Sequence, residues 1–541
     1  MASLHMTLPP LGSPLGLALA FSVLCVVLYV VNSYITTPYP KGVALVREPP
    51  GAKRFSWRTR LTYYLDCPSL FREAYHEYAK KGKAVIIPGI GARTEIILPT
   101  SSMRWALSQP DEVLSVGDAF AEIDGAYYGL GTEKPIIDGW QGMLVKKDMN
   151  AVLENIVQAM NDELGVAFDE YLGTDTESWT EIDLLAVVRK IVSQAASRFT
   201  VGLPLCRNKA YLDASLESVD RLVINAGVST GVPPVLRPIA GRMSGLPVRL
   251  SIRKMRKHFE PIYLKRLETL KYSKDDPNHE EPQDHLQMML RYAEKERPHE
   301  LRDLDLMTKR LVVANFGSMH QTSIQVTNML LNILGSDAEF NTIAVLRDEV
   351  SRILGPNEGQ GWTKAKVSNM IRADSVAKET LRLHSFGGRA IFRKVLVDGV
   401  VTDGGIELPK GCLINFMSQP AHMDEAKYED AQKYDPFRYS RVREAAMNGE
   451  GEGGGGQSRG GSLSFVSTSP DYLAFSHGRK ACPGRFLIDF ELKMIIAYVL
   501  MNYDVKFPDV YGGKRPENQW VTEAYFPPAG VKIMVKRRKV V

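Results

Sequence analysis

Hydrophobic positions along this chain follow three different spacings. Residues 15 to 31 run 17 positions without a charge, the short end of what a bilayer-spanning helix needs. No Lys or Arg precedes the run, so the basic start of a cleaved signal peptide is missing. Lys41, Arg47, Lys53, Arg54, Arg58 and Arg60 follow it, which predicts one span with the bulk of the chain cytoplasmic. Pro38 to Pro50 then read as a stiff hinge. The expected layout is an anchor over 1–37, a hinge over 38–60 and one catalytic domain over 61–541.

From about residue 60 to 390 apolar residues recur at helical spacing, most clearly over Asp284 to Glu296, Leu306 to Gly335 and Asn369 to His384. Strand-like runs follow at Ile391 to Val401 and Cys412 to Met417, with another pair near Tyr503 to Phe507 and Val531 to Val535. The pattern predicts a mainly α fold with small β-sheets. Val223 to Leu246 is apolar enough to form a lipid-facing access lid. Residues 449–461 hold eight glycines in thirteen positions, a flexible insertion and not a phosphate loop, because no strand-Gly-helix context ends in Gly-Lys-Ser/Thr.

Composition narrows the class. In 541 residues, 44% are hydrophobic and 24% charged, which excludes disordered and collagen-like chains. The 67 Lys and Arg exceed the 62 Asp and Glu by only five, too little to imply a nucleic-acid partner. Cysteines 25, 67, 206, 412 and 482 are odd in number and scattered, a pattern that suits a reducing compartment and disfavours a disulfide framework.

The stretch richest in chemistry is Phe475-Ser-His-Gly478-Arg-Lys480-Ala-Cys482-Pro-Gly484-Arg-Phe486, followed by an apolar helix to about Tyr503. A proline after Cys482 suits a first helical position, so the sulfur is expected at a helix N-terminus, where dipole and free N–H groups favour a thiolate. Such a thiolate is the axial ligand that haem iron needs to cleave an O–O bond. Gly478 permits a tight turn, Gly484 allows backbone close to a porphyrin, and Phe475 can shield the sulfur from water.

Phe-x-x-Gly-x-x-x-Cys-x-Gly resembles the haem-binding signature of the cytochrome P450 family. The resemblance implies the P450 fold, a helical prism enclosing haem b, with the N-terminal transmembrane helix read above. It makes Cys482 the iron ligand, and Phe475, Gly478, Lys480, Gly484 and Arg393 the residues around the haem. Lys480 stands where Arg or His is usual and would meet a propionate as a point charge. Glu379-Thr-Leu-Arg382 lies 103 residues before Cys482 with both charges on one helical face. It resembles the family's Glu-x-x-Arg, which joins an arginine such as Arg438 in a structural lock. The Trp-x-x-x-Arg pattern is not cleanly present, since Leu144 stands four after Trp140, with Lys146 and Lys147 just beyond. Arg198 to Asn208, Asp284-His-Leu-Gln-Met and Pro234 to Pro238 resemble membrane-anchored fungal members in particular.

The distal helix departs from the family's Ala/Gly-Gly-x-Asp/Glu-Thr-Thr. Here Gly317-Ser-Met-His320-Gln321-Thr322-Ser323 puts His320 in place of the acid and Gln321 in place of the alcohol. His can pass protons near neutral pH, whereas Gln can orient a water but not ionise. His320, with Thr322 or a water held by Gln321, is the expected relay. The resemblance implies a monooxygenase that hydroxylates or oxidises a lipophilic substrate at the endoplasmic reticulum membrane, a terpenoid or sterol of secondary metabolism first, with fatty acids and aromatic polyketides open. No Gly-x-Gly-x-x-Gly follows a strand, so electrons from NADPH are expected through NADPH–cytochrome P450 reductase, with cytochrome b5 as a second donor, docking on Arg479, Lys480 and Arg485. A haem-thiolate isomerase or dehydratase working without O2, and a non-catalytic haem sensor, are the alternatives.

Overall fold

The computed structural model describes residues 12–35, 40–272, 280–355, 361–449 and 463–539. An apolar helix, α1 (Pro14–Ile35), comes first. Its side chains from Leu15 to Val27 are largely solvent-facing. Among the described residues no helix is long and apolar enough to cross a membrane. The expected anchor lies partly outside the described residues, at 1–11 and 36–37, as do 38–39 of the hinge and 450–461 of the glycine-rich insertion.

Strands β1 (Ala44–Leu45), β2 (Val85–Pro88), β3 (Thr94–Ile97) and β4 (Leu114–Ser115) lead into α2 (Val116–Ile123). The long α3 (Trp140–Leu172), β5 (Thr180–Asp183) and helices α4 (Leu184–Thr200), α5 (Lys209–Gly231) and α6 (Arg237–Thr269) follow. Asp183 and Asn208 cap α4 and α5 by accepting the Ala186 and Tyr211 N–H groups, which satisfies donors a helix start leaves open. Next come α7 (Leu304–Asn315), α8 (Gln321–Phe340) and α9 (Ile371–His384), then β6 (Arg389–Val395) and β7 (Leu413–Met417). The chain closes with α10 (Arg485–Asn502), β8 (Tyr503–Lys506), the hairpin β9 (Gln519–Val521) and β10 (Ala524–Phe526), and β11 (Lys532–Arg537).

The predicted elements lie within a few residues of these. Sequence reasoning passed over β2 and β3, whose Val-Ile-Ile and Glu-Ile-Ile runs are buried on both faces and show no alternation to betray a strand. They join β1, β7, β6 and β4 in a six-stranded sheet, order β1-β2-β3-β7-β6-β4. A second sheet, β8-β11-β5, pairs antiparallel throughout. The expected helix over 306–335 is interrupted: one turn of π-helix, Phe316–His320, sits between α7 and α8. One hydrophobic cluster packs α3, α4, α8, α9 and α10 together, a second lies under the six-stranded sheet, and a third binds α5, α6 and α7. The expected lid is the end of α5, a 3-10 turn over Pro234–Leu236 and the start of α6.

Candidate active site

Cys482 lies in a loop closed by its own backbone N–H, which donates to the Phe475 carbonyl at 2.9 Å. Gly478 has φ +77°, a left-handed turn that glycine adopts at little cost. Phe475 is buried and meets Phe465 edge-on, centroids 5.0 Å apart. The helix begins at Arg485 with Gly484 as its N-cap, so Pro483 is not the first helical residue as expected, and the sulfur stands two positions before the cap. Burial pushes the Cys482 thiol up, while N–H groups of Gly484 and Arg485 and the Arg485 charge act the other way. Arg485 donates to the Cys482 and Val466 carbonyls (2.7 and 3.0 Å), so it braces the loop. Arg479 and Lys480 are exposed, and Lys480 is ion-paired with Asp111. Its ammonium is engaged with a surface carboxylate.

Behind the loop stands a buried charge network. Arg382 grips Glu379 through two parallel bonds (2.7 and 2.8 Å) and donates to the His422 and Ala431 carbonyls (2.6 and 2.5 Å). Arg438 adds a bond to Glu379 at 3.1 Å. Two side groups of this network were not foreseen. His422 accepts the Leu473 N–H (2.9 Å) and donates to the Arg382 carbonyl (3.2 Å), tying the network to the chain entering the cysteine loop. Lys378, next to Glu379, donates to the Ser464 carbonyl (2.9 Å) and lies 3.8 Å over the Tyr472 ring. Its buried position on the apolar-periodic helix gave no signal in sequence, because its partners lie some 90 residues on.

The π-turn forms the other side. Adding one residue to a helical turn leaves local hydrogen bonding irregular, and such bulges concentrate at functional positions. Gly317 is exposed between the buried Asn315 and Met319, and a Cβ there would meet nothing within 4 Å. His320 stacks on Phe316 (5.8 Å) and meets Phe386 edge-on (5.9 Å). Its Nδ1 is buried without a partner. Burial holds its pKa below the usual imidazole value, with Asp220 opposing that shift and Arg189 adding to it. Gln321 is half-buried and Thr322 buried.

A family model described as Cytochrome P450 matches residues 143–535. The chain belongs to the cytochrome P450 family. It is 51% identical over 509 residues to the cytochrome P450 monooxygenase pbrC of Penicillium brasilianum, covering 94% of each chain. The cytochrome P450 monooxygenase astC of Aspergillus terreus is 50% identical over 513 residues (94% and 95% covered), and tenB of Beauveria bassiana 44% over 506 (93% of each). The protein is a fungal-type P450 monooxygenase, and the family implies haem iron as its cofactor.

The residues present fit that group. Arg393 is buried, donates only to the adjacent Phe392 carbonyl (2.8 Å), and faces no carboxylate within ion-pairing distance among the described residues. Burial brings its pKa down to about 10. A P450 haem would supply the anion this guanidinium lacks. Space is open beside Gly484 as beside Gly317. Trp140 is used elsewhere, donating to Glu300 (3.1 Å) under the Arg310 guanidinium, while Lys146 reaches the Arg479 carbonyl at 3.5 Å. Phe386 and Phe526, edge to face at 5.1 Å, also escaped sequence reasoning, since only the hairpin's fold brings position 526 to 386.

Proposed function

We propose that this P450 is a membrane-anchored, reductase-driven monooxygenase that hydroxylates or oxidises a lipophilic terpenoid or sterol in secondary metabolism, with its catalytic domain on the cytoplasmic face of the endoplasmic reticulum. The observation that carries the reading is a half-buried cysteine with two N–H groups directed at it, in a chain whose long interior helix opens into a π-turn. Haem bound through Cys482 supplies O2 activation by reductase-delivered electrons and insertion of one oxygen atom into an unactivated C–H bond.

The chain's own residues do the rest. Cys482 binds as a thiolate, and the Gly484 and Arg485 N–H groups stabilise its charge. Phe475 excludes water from the sulfur, and Arg393 binds a cofactor carboxylate. Glu379, Arg382 and Arg438 hold the loop's approach rigid. His320, kept neutral by burial, holds a proton at one ring nitrogen and can take one at the other, with the Arg189–Asp220 pair (2.5 Å) on its solvent side. Gln321 orients a water, and Thr322 adds a hydroxyl one residue on. Phe316, Phe386 and Phe526 supply an apolar wall suited to a hydrocarbon skeleton.

Membrane attachment is supported by α1 lying against the Pro234–Leu236 turn. Ile224, Val235, Ile239, Met243 and Leu246 around that turn are each more than half exposed, a continuous apolar surface that water disfavours. Co-expression with a reductase and feeding of a terpenoid and sterol panel under labelled O2 tests the reading. An NADPH-dependent product carrying one labelled oxygen is expected, and product formed without O2 and NADPH would replace it with an isomerase. In the same assay, His320→Ala is expected to lower product formed per NADPH several-fold. Unchanged coupling removes His320 from the proton route.

A further inference from the structure

Three elements meet at the far end of the β9–β10 hairpin from the π-turn. The β2–β3 turn packs on the end of α5, where a Cβ on Gly91 would come 2.4 Å from the Thr230 carbonyl. The second residue after α2 does the same, with Gly125 against Ser229. Arg237 opens α6 six residues after Gly231. The hairpin reaches this junction through Glu523 at its turn, which accepts from Arg93 at 3.0 Å. Its other end carries Phe526, against Phe386, which in turn meets His320.

Polar groups at this junction are left over. Arg93 spends Nε on Glu95 (2.9 Å) and Nη2 on Glu523, but its Nη1 is buried without a partner. Arg237 makes no side-chain hydrogen bond or ion pair with any described residue, and its Nε is buried. Glu122, whose charge acts on Arg237, is taken by Lys394 at 2.7 Å. The Asp124 carboxyl, two residues on, is also without a hydrogen bond among the described residues, and burial pushes its pKa up to about 7. A half-buried guanidinium with no counter-ion costs stability, and such orphaned donors at a junction mark a ligand contact.

We propose that Arg237, with the free Nη1 of Arg93, forms a recognition site for the carboxylate of a lipophilic acid, holding the substrate's polar end at this junction while its hydrocarbon body extends along the hairpin toward the π-turn. This rests on the monooxygenase reading and narrows its substrate to a terpenoid that already bears an acid group. The class of reaction supplying it is therefore an earlier oxidation of a methyl or alcohol to a carboxylic acid.

Isothermal titration of the full-length holoprotein with abietic acid and with its methyl ester tests the site, since the two probes differ only in the charged oxygen. The acid is expected to bind about tenfold tighter. Arg237→Gln should remove that preference and leave ester affinity unchanged, while Arg237→Lys keeps most of it. Equal binding of acid and ester by the unaltered protein, no binding of the acid, or a preference that survives Arg237→Gln overturns the proposal, and so does a loss in Arg237→Gln that falls on both probes alike. The reduced, carbon monoxide-treated spectrum of each sample reports the haem-thiolate separately, so a missing thiolate band counts against the monooxygenase reading and the calorimetry against the carboxylate site.

Discussion

Burial alone drives the Cys482 thiol toward its protonated form, so the anion has to be recovered from backbone N–H groups and from the iron itself, the largest local charge once bound. Replacing Cys482 with serine is expected to abolish the red-shifted Soret band of the reduced, carbon monoxide-treated protein, and its survival would remove the sulfur from the iron. His422 offers a pH-dependent test. Its Nε2 accepts an N–H and its Nδ1 donates to a carbonyl, an arrangement open only to the neutral ring, and burial lowers its pKa to about 3. Unfolded, the ring titrates near 6.5. Between those values the unfolded chain binds the extra proton, so the stability is fully present above about pH 6.5 and drains as pH falls toward 3. Melting temperature followed from pH 7 to 5 should drop less in His422→Asn than in the unaltered protein. Neither His422 nor the surface pairing of Lys480 could be read from sequence, because their partners are set by contacts far along the chain.

At the scale of elements, the Glu379–Arg382–Arg438 network couples α9 to the segment entering the cysteine loop. Spacing of three along one helix made the first pair visible in sequence, and only folding brought the carbonyls of His422 and Ala431 to Arg382. Glu379→Gln leaves a fully buried guanidinium without its counter-charge, a loss of about 3–5 kcal/mol, to be seen as a lower denaturant midpoint together with poor haem retention. Arg438→Lys keeps the charge at a less buried position and should cost well under half as much. The π-turn belongs to this scale too. Glycine at 317 permits it, but apolar periodicity runs unbroken through 306–335, so the irregular turn is a product of packing between α4, α5 and the aromatic wall.

For the whole molecule, the six-stranded sheet joins residues 44–97 to residues 389–417, and the hairpin near the C-terminus reaches back to Arg93 through Glu523. This part of the fold is thus assembled from both ends of the chain. An exposed apolar helix beside an exposed apolar turn argues for one membrane-facing side. Deleting residues 1–37 is expected to shift the protein from the microsomal pellet partly to the supernatant, and adding Ile239→Lys and Met243→Lys should complete the release. A deletion that leaves all of it pelleted would show that α1 is not the anchor.

Local order was settled by the amino-acid sequence: which stretches are helical, which loop carries the sulfur, and which acid and base share a face of α9. These depend on neighbours a few positions apart, where backbone geometry alone decides the spacing. Tertiary structure decided the rest, namely the buried strands β2 and β3, the π-turn, the partners of His422 and Lys378, and the unpaired Arg237. Each of these depends on groups tens or hundreds of residues apart, and their distances exist only once the chain has closed around its core.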